Sequence, residues 1–162
     1  MANVQRAILL VALLAPFHVH AQSLDSPRAF TEGLYEAYRH GEPDYLGARA
    51  SATFAPHLLA LMRHDQSATP SGDVGALDGD PICDCQDDGG MKTERIEIVD
   101  VAPGRALATV TLRFPAETTT VKLDLVSWRG AWRVADVHTK DMPSLVGLLE
   151  KSASEAKAEP RR

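Results

Sequence analysis

A regular alternation of apolar and polar side chains after residue 92 constrains the fold of this chain more than any other feature. Apolar residues occupy every second position in much of four successive segments, "RIEIVDV", "RALATVTLRF", "TTVKLDLVSW" and "AWRVADVHT". A period of two is typical of β-strands that place one face on a hydrophobic core. Short turns at Pro103-Gly104 and Arg129-Gly130 separate the first pair and the last pair. The pattern therefore predicts an antiparallel meander of four strands.

Two regions with a helical period precede these strands. In the first, from Pro27 to Tyr38, apolar residues recur at three- and four-residue spacing, and Ser26 is a candidate N-cap. The second runs from about Asp44 to Arg63 with a break near a proline, and a short helix from Pro143 to Lys151 follows the strands. The expected fold class is α+β, with the N-terminal helices packed on one face of a curved, cone-like sheet.

The chain begins with the pattern of a secretory signal peptide, which we predict over residues 1–21. A single basic residue, Arg6, precedes an apolar run from Ala7 to Ala15, and a cleavage site follows near Ala21-Gln22. The run is shorter than the ~20 apolar residues that a transmembrane helix needs. We therefore expect a periplasmic or secreted protein with no stable membrane anchor after cleavage.

The charge of the chain is negative and unevenly distributed. There are 22 acidic and 17 basic residues, which argues against nucleic acid as a partner. Seven aspartates and no lysine or arginine lie between His64 and Met91. Such a run is usually a solvated loop. The functional alternative is that the acidic loop, Asp73–Asp88, binds a cation or a basic protein partner.

Both cysteines lie in this loop, in the motif "DPICDCQDDGG". Residues i and i+2 have Cα atoms about 5.5–7 Å apart, so a local disulfide between Cys83 and Cys85 is feasible. Reduced cysteines, or pairing with another chain, are the alternatives. Zinc would need a second ligand pair that the sequence does not supply in recognised order, and the acidic neighbours disfavour a reactive thiolate. We predict a disulfide, no metal ligand and no cofactor.

The order of helices, loop and strands, ending in "WRGAWRVADVHT", resembles the nuclear transport factor 2-like superfamily, also called the ketosteroid-isomerase-like cone. More narrowly, "LYEAYRHG" and the loop with Asp80-Pro81 and Gln86-Asp87 resemble a bacterial family of exported domains, often lipoproteins, of unknown function. The resemblance covers roughly Phe30 to Leu149. We expect one domain over residues 22–151, and the terminal segment "SASEAKAEPRR" predicts a disordered tail over residues 152–162. The lipidation cysteine of that family is missing here, so its membrane anchor is not implied.

A cone of this kind implies a pocket with an apolar wall and a few convergent polar groups. We expect its polar and aromatic lining to be Tyr35, Tyr38, Asp80, Gln86, Asp87 and Trp132. By the period of two, Trp132, Val134, Asp136 and His138 should share one strand face. Asp136 and His138 are then candidates for an acid/base pair, although an ion pair at a strand end is the simpler structural explanation.

These features favour a non-catalytic, exported binding or interaction module for an unidentified small molecule or basic protein, such as an immunity or stress-related protein. The sequence contains no nucleophile elbow, phosphate-binding glycine loop or HExxH motif. An acid/base enzyme, isomerase- or hydratase-like, is the alternative; it requires Asp136 and His138 to face a cavity beside Tyr38 or Gln86. A thiol or metal site at the cysteines is a third hypothesis. A homodimer is also expected, because apolar residues lie on both sheet faces, among them Val99, Val101 and Val126.

Overall fold

The structure is a computed structural model that describes residues 26–41, 43 and 45–158. The signal peptide predicted over residues 1–21 lies outside the described residues. No helix among the described residues has the length and apolar content needed to cross a lipid bilayer. In chain order the elements are α1 (Pro27–Glu36), α2 (Ala50–Thr53), α3 (Pro56–Ala68), β1 (Lys92–Ala102), β2 (Arg105–Arg113), β3 (Thr118–Trp128), β4 (Ala131–His138) and α4 (Leu145–Ala158).

The predicted antiparallel meander is confirmed. Strands β1, β2, β3 and β4 are adjacent in that order, and each pairing is antiparallel. Helix α1 packs on β1 and β2, whereas α2 and α3 pack on β4, so helices cover one face of the sheet. This is the α+β class expected from the sequence, while cone-like curvature stays a prediction. The core between the two layers includes the fully buried side chains Phe54, Leu58, Ile82, Leu112, Leu123 and Val137.

Helix α1 begins where the sequence predicted because its first turn is capped. The Ser26 hydroxyl accepts a hydrogen bond from the Ala29 N–H at 3.1 Å, and Pro27 suits the first helical position because its φ is fixed. The helix ends at Glu36, slightly before the predicted end at Tyr38. Its buried face turns toward β1 and β2.

Two other helices extend past their predicted ends. Helix α3 continues to Ala68. Helix α4 continues to Ala158 instead of ending at Lys151, so the first part of the predicted tail, residues 152–162, is helical. Alanine, glutamate and lysine in this segment have high helix propensity. Lys151 and Glu155 add an i,i+4 ion pair at 3.9 Å.

Strand β4 contains a β-bulge that a strict period of two does not predict. Leu125 pairs with Val134, but the preceding residue, Asp124, pairs with Asp136. Ala135 is therefore the extra residue of β4. A bulge places two residues of one strand opposite one residue of its partner, so the side chains beyond it change faces relative to those before it.

The prediction that Trp132, Val134, Asp136 and His138 share one face is wrong because of this bulge. Val134 and Val137 are both fully buried, although three positions separate them. Trp132 lies on the core face with Val134. Asp136 and His138 lie on the opposite face, which is called the outer face below.

Candidate functional site

Asp80 is held firmly at the beginning of a small turn in the acidic loop. The Tyr38 hydroxyl donates a hydrogen bond of 2.5 Å to Asp80 Oδ2, and the Ile82 N–H donates one of 2.8 Å to Asp80 Oδ1. The Tyr35 hydroxyl donates to the Ile82 carbonyl at 2.8 Å. Backbone hydrogen bonds in both directions join Asp80 and Cys85. The turn is therefore bonded to Tyr35 in helix α1 and to Tyr38 just after that helix, and it is closed on itself.

Cys83 and Cys85 form a close pair within this turn, with their Cα atoms 5.2 Å apart. That separation lies in the range a disulfide requires. Asp84, between them, has a φ of 54°, a left-handed conformation that aspartate adopts more readily than most residues. Cys83 is fully buried. The two cysteines are thus as close as the sequence led us to expect. The turn places the Cys83 side chain in the core.

Three tyrosines, Tyr35, Tyr38 and Tyr45, pack between the acidic loop and the core. The rings of Tyr35 and Tyr38 are 6.2 Å apart, and those of Tyr38 and Tyr45 are 5.8 Å apart. Burial raises the pKa of Tyr38, and the adjacent Asp80 carboxylate raises it further. The Tyr45 hydroxyl donates to the Leu34 carbonyl. Tyr35 and Tyr38 are buried. Both contact the loop through their hydroxyl groups, and Tyr35 also lines a cavity of about 500 Å³ beside Met91 and Ile96.

A groove of about 850 Å³ runs along the acidic loop. Asp80 and Gln86, two of the predicted pocket residues, line it. Asp73 and Asp78 contribute further carboxylates, and the described lining residues include no lysine or arginine. We call this feature the acidic groove; its lining includes Tyr45, Asp73, Val74, Asp78, Asp80 and Gln86.

Asp65 shapes one side of the acidic groove, although the sequence did not single it out. Its carboxylate accepts hydrogen bonds from the Ala76 N–H at 3.0 Å and the Leu77 N–H at 3.1 Å. Only 9 % of its surface is exposed. A side chain at Gly75 would collide with the same carboxylate, so glycine is required there by close approach. Asp65 thus ties the loop to helix α3.

The other two predicted pocket residues lie outside the lining of the acidic groove. Asp87 is exposed, and its Oδ1 accepts a hydrogen bond of 2.8 Å from the Gly89 N–H. That contact stabilises a local turn. Trp132 is partly buried against the core from strand β4.

Asp136 and His138 lie next to the beginning of helix α4 rather than at the acidic groove. Asp136 Oδ1 accepts from the Val146 N–H at 2.9 Å, and Oδ2 accepts from the Ser144 hydroxyl at 2.6 Å. His138 Nδ1 lies 2.5 Å from the Pro143 carbonyl oxygen. Neither residue lines the acidic groove, and both lie on the outer face. The geometric requirement of the acid/base enzyme is therefore not met.

The environment of His138 favours its charged form. Burial opposes the charge, but the hydrogen bond to Pro143, a hydrogen bond with Asp124 and the carboxylate of Asp136 outweigh it and raise the pKa of His138. His138 Nε2 lies 3.2 Å from Asp124 Oδ2 and 3.9 Å from Asp136 Oδ2. One nitrogen or oxygen atom from each of Asp124, Asp136 and His138 lies within 4.8 Å of the others.

Comparison with known proteins gives one informative similarity. The chain is 34% identical over 137 residues to the "Uncharacterized protein YqhG" of Escherichia coli (strain K12). The aligned region covers 80% of this chain and 44% of YqhG, so the chain spans less than half of that relative's length. No protein-family model matches the chain. No solved structure matches it either.

Proposed function

We propose that this protein is an exported, non-catalytic binding module whose acidic groove binds a positively charged segment of a partner protein. The charge of the groove carries this proposal. Asp73, Asp78 and Asp80 line it, and no lysine or arginine is among its described lining residues. Carboxylates gathered in a cleft attract cationic groups and raise the rate at which they are captured.

The groove combines a fixed carboxylate with adaptable ones. Asp80 is held in place by Tyr38 and the Ile82 N–H, so binding does not have to order it first. Asp73 and Asp78 are exposed, and each can accept charge-assisted hydrogen bonds from a lysine or arginine of the partner. A basic peptide segment fits this arrangement better than a compact apolar ligand does.

The predicted signal peptide supports the exported location, and that location supports oxidation of the cysteines. Thiols outside the cytosol are commonly oxidised. The 5.2 Å separation of the Cys83 and Cys85 Cα atoms suits a disulfide. We include a Cys83–Cys85 disulfide and a nuclear transport factor 2-like fold in the proposal. The name of the uncharacterized YqhG adds no activity to it.

The test is the binding of a fluorescently labelled lysine-rich peptide, followed by anisotropy at low salt. The double variant D73N/D78N should weaken binding about tenfold, because each exposed ion pair contributes up to ~1 kcal/mol. The double variant D87N/D88N is the matched control, since it removes the same charge from residues that do not line the groove. It should weaken binding clearly less than D73N/D78N does, because the attraction between two charges falls with distance and these two carboxylates lie outside the groove lining.

Equal weakening by the two double variants would show that only net charge attracts the peptide, and the proposal would fail. A wild-type protein that binds the lysine-rich peptide no better than a glutamate-rich one would also contradict it. Export is tested separately, by fractionating cells that express the chain and locating it by immunoblot. A full-length precursor retained in the cytoplasm would overturn the exported location.

A further inference from the structure

Two aspartates are placed directly opposite each other on the outer face of the sheet. Asp124 of β3 pairs with Asp136 of β4, and the bulge at Ala135 brings them into this register. Like charges at directly opposite positions destabilise a strand pair. A cation placed between the two carboxylates would remove that repulsion.

His138 completes the group and presents one ring nitrogen to it. Its Nδ1 lies 2.5 Å from the Pro143 carbonyl oxygen, and a carbonyl oxygen can only accept, so Nδ1 carries the hydrogen. Nε2 then faces Asp124 Oδ2 at 3.2 Å and Asp136 Oδ2 at 3.9 Å. A carboxylate accepts the Nε2 hydrogen when no metal is bound, and a metal ion that binds there displaces that proton. A histidine that donates one N–H to a backbone carbonyl and turns its other nitrogen to a metal is the usual arrangement of a metal-binding imidazole.

Asp136, the second aspartate, is also held in one orientation by hydrogen bonds. Asp136 accepts hydrogen bonds from the Ser144 hydroxyl at 2.6 Å and from the Val146 N–H at 2.9 Å. Its side chain is 16% exposed and that of His138 is 27% exposed, whereas that of Asp124 is 53% exposed. Asp136 and His138 are thus held in place by hydrogen bonds to the protein, whereas Asp124 borders on solvent.

We propose that Asp124, Asp136 and His138 bind one divalent metal ion, with zinc as the preferred metal. Their ligand atoms all lie within 4.8 Å of one another. Ligands about 2.0–2.2 Å from a tetrahedral zinc are a little over 3 Å apart, so small side-chain rotations bring the three atoms to that spacing. One imidazole nitrogen and two carboxylate oxygens suit zinc, and water would occupy the open position. The three ligands are absent from the lining of the acidic groove, so this proposal does not depend on the proposed function.

The test is zinc titration of the untagged full chain after chelator treatment, by calorimetry and native mass spectrometry. We expect one zinc ion per chain. Replacing a ligand, in H138Q or D124N, should lower the affinity at least tenfold, and S144A should lower it about tenfold by releasing Asp136. H57Q is the matched control, because His57 faces Glu150 at 3.2 Å in an exposed pair outside the group. Its affinity should equal that of the wild type.

Circular dichroism must show that each variant is folded. Should H138Q fail to fold, the imidazole nitrogen signals of the wild type decide the question, since zinc should shift Nε2 of His138 much more than Nδ1. Three results would each overturn the proposal: no stoichiometric zinc in the wild type, undiminished affinity in H138Q and D124N, or no zinc-dependent shift at His138. If the wild type binds no stoichiometric zinc, a protonated His138 would be the cation that separates the two carboxylates.

Discussion

At the scale of single residues, a few aspartates determine the shape of the acidic loop. Asp80 begins the turn, and its role could be anticipated because an aspartate before a proline commonly caps a turn. Asp65 could not be anticipated in the same way, because its partners are the N–H groups of Ala76 and Leu77, eleven and twelve residues further along the chain. Its only local signal is an acidic residue close to the buried face of α3. Tertiary contacts of this kind are not encoded in a local pattern.

Asp65 should therefore matter for stability more than any exposed aspartate of the loop. In D65A the two N–H groups lose their acceptor, and an unsatisfied polar group costs ~1–3 kcal/mol. We expect the free energy of unfolding, measured with urea, to fall by about 2–3 kcal/mol. D78A is the control, because Asp78 is exposed and should change stability by less than about 0.5 kcal/mol. Equal effects of the two variants would contradict this role.

Asp84 should make a small, pH-dependent contribution to stability. At neutral pH that contribution should be unfavourable, whereas that of Asp65 is favourable. Burial raises its pKa, Asp141 and Glu117 raise it further, and a hydrogen bond with Thr139 partly offsets them. Because its pKa is higher in the folded than in the unfolded chain, its favourable contribution exists at low pH and is lost as the pH rises through the folded value. D84N should therefore be more stable than the wild type at pH 7, by no more than about 0.5 kcal/mol for so exposed a group.

Urea unfolding at a series of pH values measures this difference. It should vanish below about pH 3, where the wild-type carboxyl is protonated in both states. D87N provides the comparison, since Asp87 is an exposed aspartate of the same loop whose carboxylate accepts a hydrogen bond from the Gly89 N–H. A D84N variant less stable than the wild type at pH 7 would show that the Thr139 hydrogen bond outweighs burial.

At the scale of elements, the strands were predictable and the irregularities were not. The segments "RALATVTLRF" and "TTVKLDLVSW" keep apolar residues at every second position, with Leu107 and Val126 as extra apolar residues on the other face, and the structure forms strands from Arg105 to Arg113 and from Thr118 to Trp128. The bulge in β4 escaped prediction because "RVADVHT" remains compatible with both registers. Only pairing with β3 decides that Val134 and Val137 are both buried. The prediction of the strand face on which Asp136 and His138 lie was wrong for this reason.

The cysteine turn is the element whose chemical state is most easily checked. We expect the purified, exported chain to take up no alkylating reagent under denaturing conditions, and two equivalents after reduction. The Cys83–Cys85 loop is short, so a disulfide there should constrain the unfolded chain little. C83S/C85S should then lose stability mainly through the buried position of Cys83. Two alkylated thiols without prior reduction would contradict the proposed bond.

At the scale of the whole molecule, the sheet leaves apolar side chains in contact with solvent. Val99 is 58% exposed, Val101 59% and Trp128 44%. An exposed apolar surface of this kind often marks an interface. We predict that the protein forms a homodimer that buries these residues, as the sequence led us to expect.

Size-exclusion chromatography with light scattering tests this prediction. The wild type should have twice the mass of the chain, and V99K/V101K should shift it to the monomer. A matched pair of lysines at the exposed positions Thr118 and Thr120 of β3, which adds the same charge, should have a smaller effect. A monomeric wild type at every concentration tested would contradict the dimer.

The fold class could be predicted from the spacing of apolar residues in the sequence. The lining of the acidic groove could be predicted only in part. Asp80 and Gln86 could be proposed as lining residues because they belong to the conspicuous loop motif. Tyr35 and Tyr38 were expected in the same pocket, but both are buried and neither belongs to the lining of the acidic groove. Sequence alone could not distinguish the wall of a groove from the layer that supports it.

The most direct test of the central claim is to locate a bound lysine-rich peptide on the protein by NMR. Amide signals of an isotopically labelled chain would be followed as the unlabelled peptide is added. We predict that the largest shifts occur at residues lining the acidic groove, including Gly75, Gly79 and Gln86, and that Thr109 and Thr111 on the outer face of the sheet do not move. Largest shifts on the outer face, or shifts spread evenly over the surface, would contradict the assignment of the groove as the binding site.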